Sequence, residues 1–544
     1  MKSLYNDEKA SEFKTDLDLR VYTSRLLGQD SSLVLHGGGN TSVKSAVTNL
    51  FGESEDILYV KGSGWDLATI KAEGFAPVKM DTLLKMAELK ELSDTDMVKY
   101  QRVAMIDPSA PNPSVEAILH AIIPFKYVDH THADAVVTIT NTQNAEDKIR
   151  EIYGDKVLII PYIMPGFVLA KLVYEMTRDV DWSVLDGMVL MNHGLFTFSE
   201  DAKKSYEKTI ELVDAAEKYL VAKGATLHIE KSYADIELLE LAKIRKEVSN
   251  LKGRATISVF NDTPLALHFS KQDLQKIAIQ GPLTPDHVIR TKRVPTILGD
   301  NFKEDLANYV KEYKQYFEDN KTTQTLLNPA PNFAILKAKG SLSFGADAKE
   351  ANIIKDINEH TYEAILKAEM LGGYKALSAA DIFEVEYWSL EQAKLKKGTT
   401  ASEFGGKIAV VTGAASKQGI EIVKMLNSRG AAVVALDIKE EVVRFAKSDI
   451  ITIKCNLECD DEVQKALEVA VKSFGGVDIL VSCTNLQIHK KVLKHLSPFL
   501  EVGVEPAIVV IGLDYVLRED RDLKIKANPN NIAKMVCTMA TNLF

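Results

Sequence analysis

KIAVVTGAASKQGIEIVKMLNSRGAAVVALD, residues 407–437, is the clearest indication of how the C-terminal part of the chain folds. The stretch begins with an apolar run, turns at glycine, continues with helical periodicity and ends in a second apolar run. This order predicts a strand, turn, helix and strand unit, which is typical of a parallel sheet that binds a nucleotide at the turn. A separate α/β domain therefore begins near residue 406, and we assign it residues 401–544.

The chain before this unit divides into two further parts. Residues 1–230 alternate helical patterns with short apolar strands, which predicts an α/β domain. Residues 231–400 contain strongly charged helical stretches and form a helical extension of that domain. The segment AKLKKGTTASEFGGK, residues 393–407, is predicted to be the linker to the C-terminal domain.

Composition narrows the class of protein. Of 544 residues, 46% are hydrophobic and 26% charged, as in ordinary globular proteins, and the net charge of −10 argues against general nucleic-acid binding. We find neither a signal peptide nor an apolar run of membrane-spanning length, so we expect a cytoplasmic protein without membrane contact. The four cysteines form no CxxC pair, which predicts reduced thiols: Cys455, Cys459, Cys483 and Cys537.

Three histidines lie on two apolar segments of the first domain. His130 and His132 stand two apart in DHTHAD (129–134), and His193 follows in VLMNHGLF (189–196). Residues two apart on a strand point to the same face, so the first two can reach one ion together. Three nitrogen ligands leave a coordination position open, as in catalytic zinc sites, although manganese, iron or cobalt suits the same ligands.

A carboxylate and two glycine-rich turns accompany the histidines. Glu116 lies in PNPSVEAILH, where Pro and Ser predict a helix start, and His120 is expected to support the site one turn later. The turns HGGGNTS (36–42) and KGSGWD (61–66) offer backbone N–H groups and hydroxyls, which are the donors that hold a phosphate. Together these residues predict an enzyme that stabilises the enolate of a phosphorylated ketone.

These motifs resemble the signatures of class II aldolases of the fuculose phosphate and adducin type, in the same order: HGGGNTS, KGSG, PSVE, HTHAD and NHG. The chain length, TPDHVIRTKRVP (284–295), EYWSLEQAKL (386–395) and the nucleotide fold are similar to the bifunctional rhamnulose-1-phosphate aldolase and short-chain dehydrogenase family. The resemblance covers nearly the whole chain. It implies a class II aldolase-like α/β domain with a helical extension, followed by a truncated Rossmann-like short-chain dehydrogenase domain.

The resemblance also implies the roles of individual residues. Zn²⁺ would be bound by His130, His132 and His193, and Glu116 would be the acid/base at the carbon next to the ketone. The phosphate would be surrounded by Gly39, Asn40, Ser42, Gly62, Ser63, Gly64 and Ser114. The implied reaction is the reversible cleavage of a 1-phosphorylated ketose into dihydroxyacetone phosphate and an aldehyde, carried out by a homo-oligomer.

The nucleotide fold departs from the dehydrogenase pattern that it resembles. Lys417 replaces the glycine that lets the backbone approach a pyrophosphate. The remaining candidates for binding NAD are Gly413, Gly419 and Asp437. Where the family has a YxxxK motif, Tyr515 is followed four residues later by Glu519, so the phenol that would exchange a proton with the substrate lacks its lysine. We therefore expect NAD binding to be doubtful and the domain to be a non-catalytic remnant.

The segment 284–295 has two interpretations. It carries four basic or imidazole side chains: His287, Arg290, Lys292 and Arg293. A run of charges is typical of a solvated surface, but beside an anionic substrate the same residues can complete an active site or an interdomain contact. The sequence leaves both open.

Three other functions stay open at this point. The same metal site can serve a pentulose-phosphate 4-epimerase, and an aldolase-shaped domain can become a non-catalytic scaffold of the adducin kind. The three histidines and Glu116 argue against the scaffold. An active bifunctional aldolase and NAD-dependent dehydrogenase is the third alternative, and tight NAD binding would support it.

Overall fold

The computed structural model of the chain describes residues 1–396, 402–511 and 516–517. The described residues form two compact units, and each unit is discontinuous in sequence. Unit 1 contains Met1–His228, Ile279–Ile289 and the chain from His360 through the helix Ser389–Lys396; unit 2 contains Ile229–Ala278, Arg290–Glu359 and the described residues from 402 onward. The bounds of the three parts proposed from the sequence stay a prediction.

Unit 1 is built on a seven-stranded sheet in the order β3-β2-β1-β4-β7-β6-β5. Its strands are β1 Asn40–Thr48, β2 Ser54–Lys61, β3 Phe75–Lys79, β4 Tyr127–Thr131, β5 Val157–Ile160, β6 Gly187–Leu190 and β7 Gly194–Ser199. All neighbouring strands are antiparallel except β5 and β6. All five residues of the central strand β4 are buried, which agrees with the apolar segment recognised in the sequence.

Helices cover this sheet. The α-helices of unit 1 are Asp7–Ala10, Asp16–Gly28, Met80–Glu88, Asp94–Val103, Ala117–Ile122, Asp134–Thr140, Ala145–Tyr153, Phe167–Met176, Ala202–Ala222, Ala379–Glu386 and Ser389–Lys396. Short 3-10 helices are Leu67–Thr69, Ala72–Gly74, Gly154–Lys156, Trp182–Val184 and Pro285–His287. The long helix Ala202–Ala222 begins where the Asp201 side chain accepts from the Lys204 amide and caps the first turn.

Unit 2 holds two sheets. The four-stranded sheet has the order β8-β11-β10-β9, with β8 Ile257–Asn261, β9 Thr296–Leu298, β10 Phe333–Leu336 and β11 Gly340–Gly345. The other sheet has the order β14-β13-β12-β15-β16-β17, with β12 Ile408–Thr412, β13 Ala432–Asp437, β14 Ile450–Lys454, β15 Ile479–Ser482, β16 Ala507–Ile511 and β17 Val516–Leu517. Its first five strands are parallel, so the Rossmann-like fold predicted from residues 407–437 is confirmed.

The helices of unit 2 pack on both sheets. They are Leu238–Lys252, Pro264–Phe269, Leu274–Ile277, Phe302–Asn320, Lys417–Ser428, Asp460–Phe474 and Leu486–Glu501, with the 3-10 helix Glu440–Phe445. The chain passes between the two units within the helices Val288–Thr291 and Ala348–Met370. A single apolar core joins residues of the four-stranded sheet, such as Leu342, to Val410 and Leu480 of the Rossmann-like sheet. The two sheets of unit 2 are therefore parts of one packed body.

Two further predictions concern membrane-spanning helices and the cysteines. Among the described residues, no helix is both long and apolar enough to cross a membrane. The thiols of Cys455, Cys459 and Cys483 are free, as predicted. Cys537, Tyr515 and Glu519 lie outside the described residues.

Candidate metal centre

The three predicted histidines converge at one end of the central strands of unit 1. His130 is on β4, His132 follows that strand, and His193 lies in the turn between β6 and β7. One ring nitrogen from each lies within 4.8 Å of the others, which is a spacing suited to a single metal ion. His130 is fully buried, and the other two rings are mostly buried. The predicted cluster is confirmed.

His130 presents a nitrogen lone pair to the centre of the cluster. His130 Nδ1 lies 3.1 Å from the carbonyl oxygen of Leu195, which can only accept, so Nδ1 carries the proton and Nε2 the lone pair. That Nε2 faces Nε2 of His132 at 3.1 Å. Burial lowers the pKa of His130 well below its usual value and that of His132 to about 3, which keeps both rings neutral. Neutral, convergent imidazoles are the form that binds a metal, so these residues fit an ion.

The backbone at Gly194 approaches the backbone at Thr131 closely, and this approach brings the histidines together. A side chain on Gly194 would collide with the carbonyl oxygen of Thr131 and approach the His130 ring to 3.0 Å. Only glycine therefore fits in the NHG motif between the strand end that carries His130 and the turn that carries His193.

Glu116 reaches the same cluster from a different element. It is the residue before the helix Ala117–Ile122, close to the helix start predicted for it. Its Oε2 lies 3.6 Å from His130 Nε2, and its Oε1 lies 3.7 Å from His193 Nε2. Oε1 is buried and has no hydrogen-bond partner among the residues that the structure describes. An unsatisfied buried carboxylate oxygen beside metal-binding nitrogens is available for a substrate or an ion.

A polar relay fixes the other carboxylate oxygen. The side-chain nitrogen of Asn40 donates to Glu116 Oε2 at 2.5 Å. The amide oxygen of Asn40 pairs with His120 Nε2, and His120 Nδ1 pairs with the hydroxyl of Ser42 at 2.7 Å. Burial lowers the pKa of His120 to about 3, so this ring is neutral. His120 therefore supports the site as predicted, acting through Asn40.

The side chains of Asn40 and Ser42 have partners in the structure that were not predicted from the sequence. Both were predicted to surround a phosphate, but in the structure their side chains contact Glu116 and His120. Antiparallel pairing of β1 with β4 sets Asn40 directly opposite His130, and this register brings the two motifs together. Their phosphate role stays a prediction.

The two glycine turns and the PNPS segment lie side by side. Lys61 donates from Nζ to the carbonyl of Gly37 at 2.9 Å, and this bond joins the two turns. The Ser63 amide donates to Asn112, and the Ser114 amide to Lys61. The structure thus brings Gly39, Gly62, Ser63, Gly64 and Ser114 into one region of unit 1.

Some of the predicted phosphate donors are already used within the protein. The amide of Gly62 donates to the carbonyl of Gly74, and that of Ser63 to Asn112. The Ser114 hydroxyl accepts from the Glu116 amide at 3.3 Å, which leaves its own proton available. Hydroxyl groups are therefore better placed to donate to a phosphate here than the amides of Gly62 and Ser63.

A second carboxylate, which the sequence did not single out, also faces the histidines. Asp286 Oδ1 lies 3.6 Å from His132 Nδ1. Burial alone raises the pKa of Asp286, but the neighbouring rings of His132 and His287 bring it below its ordinary value. Asp286 belongs to the segment Ile279–Ile289, which is part of unit 1 although it is far from the histidines in sequence.

The basic residues that follow Asp286 have different neighbours. In unit 2, Lys292 donates to the carbonyl of Asn328 at 2.7 Å and lies 3.5 Å from the centre of the Tyr313 ring. Arg293 lies over the ring of Tyr316. These cations are held by contacts within unit 2.

The turn of the Rossmann-like sheet keeps its fold-forming glycines. Gly413 has a φ of +69°, and a side chain on Gly419 would collide with the Gly413 carbonyl oxygen. Asp437 ends β13 as predicted, but its carboxylate accepts from the Ala415 amide at 2.9 Å and from the Lys439 amide at 3.0 Å. Each of its oxygens thus accepts one backbone amide and keeps further acceptor capacity. The expectation about NAD binding stays a prediction.

Three regions of the chain match known families. Residues 19–220 match the class II aldolase and adducin N-terminal domain, residues 236–395 the second domain of class II aldolases, and residues 407–501 the short-chain dehydrogenases. The chain therefore contains class II aldolase and adducin domains followed by a short-chain dehydrogenase domain.

Individual proteins are similar to the whole chain or to parts of it. The chain is 28% identical over its full length to the uncharacterized oxidoreductase YuxG of Bacillus subtilis, of which it covers 82%. It is 42% identical to the N-terminal class II aldolase domain of a conserved protein from Thermoplasma acidophilum, covering 99% of that domain and 40% of this chain, with a TM-score of 0.38. Short-chain dehydrogenase reductase 4 of Arabidopsis thaliana is 32% identical over 18% of this chain, which spans 35% of the plant protein.

Proposed function

We propose that the N-terminal domain is a metal-dependent aldolase that reversibly cleaves a 1-phosphorylated ketose, similar to rhamnulose 1-phosphate, into dihydroxyacetone phosphate and an aldehyde. The observation that carries this proposal is the position of Glu116, whose two oxygens lie 3.6 Å and 3.7 Å from Nε2 of His130 and His193. An acid/base group thus lies directly against the nitrogens of a metal site with three histidines.

His130, His132 and His193 would hold the ion, and Zn²⁺ is the proposed metal because it favours such nitrogen ligands. When bound, the ion supplies a Lewis acid for the negative charge that develops on the ketone oxygen as the carbon–carbon bond breaks. The neutral state of the buried rings of His130 and His132 supports this role, since only unprotonated imidazole can be a ligand.

Glu116 moves the proton in the proposed reaction. Oε1, which lacks a partner among the described residues, accepts a proton from the carbon next to the ketone or returns one to it. Asn40 holds Oε2 and so fixes the direction in which Oε1 points. In the proposed phosphate site, the hydroxyl groups of Ser63 and Ser114 are the main donors to the phosphate. Lys61 supplies positive charge.

The setting of the enzyme is proposed from the family resemblance and the sequence. It comprises a phosphorylated sugar as substrate and a homo-oligomer as the assembly. The proposed compartment is the cytoplasm, which is the expectation from the sequence. The dehydrogenase domain is proposed to be inactive, because Lys417 replaces the glycine that lets the backbone approach a pyrophosphate.

The test is the release of dihydroxyacetone phosphate from a panel of 1-phosphorylated ketoses, with rhamnulose and fuculose phosphates first. The zinc-loaded protein should release it, a chelator should abolish the release, and added zinc should restore it. Conversion of a pentulose phosphate into its epimer without cleavage would instead establish the epimerase. Absence of both reactions in zinc-loaded protein would leave the scaffold.

A further inference from the structure

We propose that Asp286 is a positioning residue of the metal centre, which orients His132 and strengthens the binding of a divalent cation. The three histidines come from the region that matches the N-terminal aldolase domain, whereas Asp286 comes from the region that matches the second one. The inference rests on the metal centre of the proposed function but not on the identity of its substrate.

The two nitrogens of His132 have separate neighbours. Nε2 faces His130 within the cluster, and Nδ1 on the opposite side of the ring faces Asp286 Oδ1 at 3.6 Å. This distance is slightly longer than a direct hydrogen bond, but a carboxylate acts on a buried ring electrostatically at this range. It favours the proton on Nδ1 and therefore the lone pair on Nε2, which is the arrangement that metal-binding histidines use.

Asp286 acts through His132. Among the residues that the structure describes, the group of side chains that can meet at one ion consists of the three histidines and does not include Asp286. Its carboxylate is on the side of the ring away from His130. Asp286 therefore contacts a metal-binding histidine without contacting the ion itself.

The segment that carries Asp286 is anchored to the elements that carry the histidines. The side-chain nitrogen of Asn141 donates to the carbonyl of Leu283 at 2.9 Å. The oxygen of the same amide accepts from Asn192, the residue before His193, at 2.8 Å. One side chain thus links the Asp286 segment to the turn of the third histidine.

A second anchor holds the start of the segment. The hydroxyl of Tyr374 donates to the carbonyl of Gly281 at 3.2 Å, and Tyr374 pairs with Thr142 in an isolated bridge. The Lys375 amide donates to the Asn141 carbonyl at 2.8 Å. The position of Asp286 is therefore fixed by buried polar contacts within unit 1.

The test compares the zinc affinity of the full-length wild type with that of Asp286→Asn, using competition with a chromophoric chelator. Asparagine keeps the size of the side chain and removes its charge. The control is Asp107→Asn, which removes an exposed carboxylate from a loop. Thermal unfolding of the metal-free proteins reports any structural damage.

We expect the zinc dissociation constant of Asp286→Asn to rise about 10- to 100-fold, the usual effect of losing such a partner. The control should match the wild type, and the unfolding temperatures without metal should agree. In a His132→Ala background, Asp286→Asn should have no further effect on affinity, because the carboxylate acts through that ring.

Wild-type affinity in Asp286→Asn would overturn the inference, and so would an equal loss in the His132→Ala background. Either result would leave the aldolase proposal intact. Weaker zinc binding in Asp286→Asn, together with no release of dihydroxyacetone phosphate by the wild type, would support the inference and reject the aldolase. Failure of the wild type to bind zinc, manganese or cobalt would reject both.

Discussion

Asn40 donates a 2.5 Å hydrogen bond to Glu116 and pairs through its other amide atom with His120. The side chain therefore fixes one oxygen of the carboxylate and leaves the other directed at the metal-binding rings. It makes Asn40 an orienting residue for the proton transfer that we propose.

Replacement of Asn40 by alanine should lower kcat for aldol cleavage about 10- to 100-fold. A hydrogen bond to a charged group contributes about 1.5–3 kcal/mol, and its loss frees Glu116 to rotate. Zinc affinity should stay close to that of the wild type, because the Asn40 side chain bonds to Glu116 and His120 and not to a metal-binding histidine. The control is Asn49→Ala in the exposed β1–β2 turn, and unchanged turnover of Asn40→Ala would show that Glu116 needs no such partner.

Acid should destabilise the metal-free protein through His120. Burial lowers its pKa to about 3 in the folded protein, whereas the unfolded chain binds the proton near pH 6.5. Between these values the unfolded state binds more protons, so the free energy of unfolding falls as the pH falls from 6.5 toward 3. His120 alone should remove about 2 kcal/mol between pH 6.5 and pH 5.

Urea unfolding at the two pH values measures this effect. The loss of stability on acidification should be smaller in His120→Gln by about the stated amount, while the exposed control His228→Gln should keep the wild-type loss. An unchanged loss in His120→Gln would mean that other groups account for the sensitivity to acid.

Stability of unit 2 should depend on the buried pair formed by Arg245 and Asp478. Two nitrogens of the guanidinium donate to the two carboxylate oxygens at 3.0 Å and 2.6 Å, and the pair is almost fully buried. Arg245→Met should lower the free energy of unfolding by about 3–5 kcal/mol, because it leaves the charge of Asp478 buried and unpaired. Lys85→Met, at an exposed pair with Asp81, should have a much smaller effect. Equal midpoints for wild type and Arg245→Met in urea would contradict the prediction.

NADH should not bind the C-terminal domain. Both oxygens of Asp437 accept backbone amides, and Lys417 stands at the start of the helix where a glycine is needed. We expect no saturable change in NADH fluorescence up to about 1 mM, the upper end of usual substrate concentrations. Saturable binding by the full-length protein would restore the bifunctional alternative.

The local parts of the fold and site were predictable from sequence. The Rossmann-like sheet follows from one stretch in which strand, glycine turn and helix are adjacent. His130 and His132 share a face because they are two residues apart on a strand, and that relationship needs no tertiary information. His193 was indicated as the third ligand by its position in the separate apolar segment VLMNHGLF.

The contacts around the histidines were not predictable in the same way. Asn40 and Glu116 are distant in sequence and meet because strand register sets Asn40 opposite His130. Asp286 reaches His132 because the chain returns to unit 1 for the segment Ile279–Ile289. The periodicity of a sequence does not indicate such a return of the chain. The sequence therefore indicated the basic residues of this segment but not its carboxylate.

The central claim is that Glu116 and an ion at the histidines activate a carbon next to a ketone. The most direct measurement is the exchange of the carbon-bound hydrogens of dihydroxyacetone phosphate with deuterium oxide, followed by proton NMR, since it needs no knowledge of the aldehyde. Zinc-loaded wild type should exchange one hydrogen, and Glu116→Gln should slow the exchange about 100- to 10,000-fold while still binding zinc. A chelator should stop it. Exchange by Glu116→Gln at the wild-type rate, or no exchange by zinc-loaded wild type, would contradict the account.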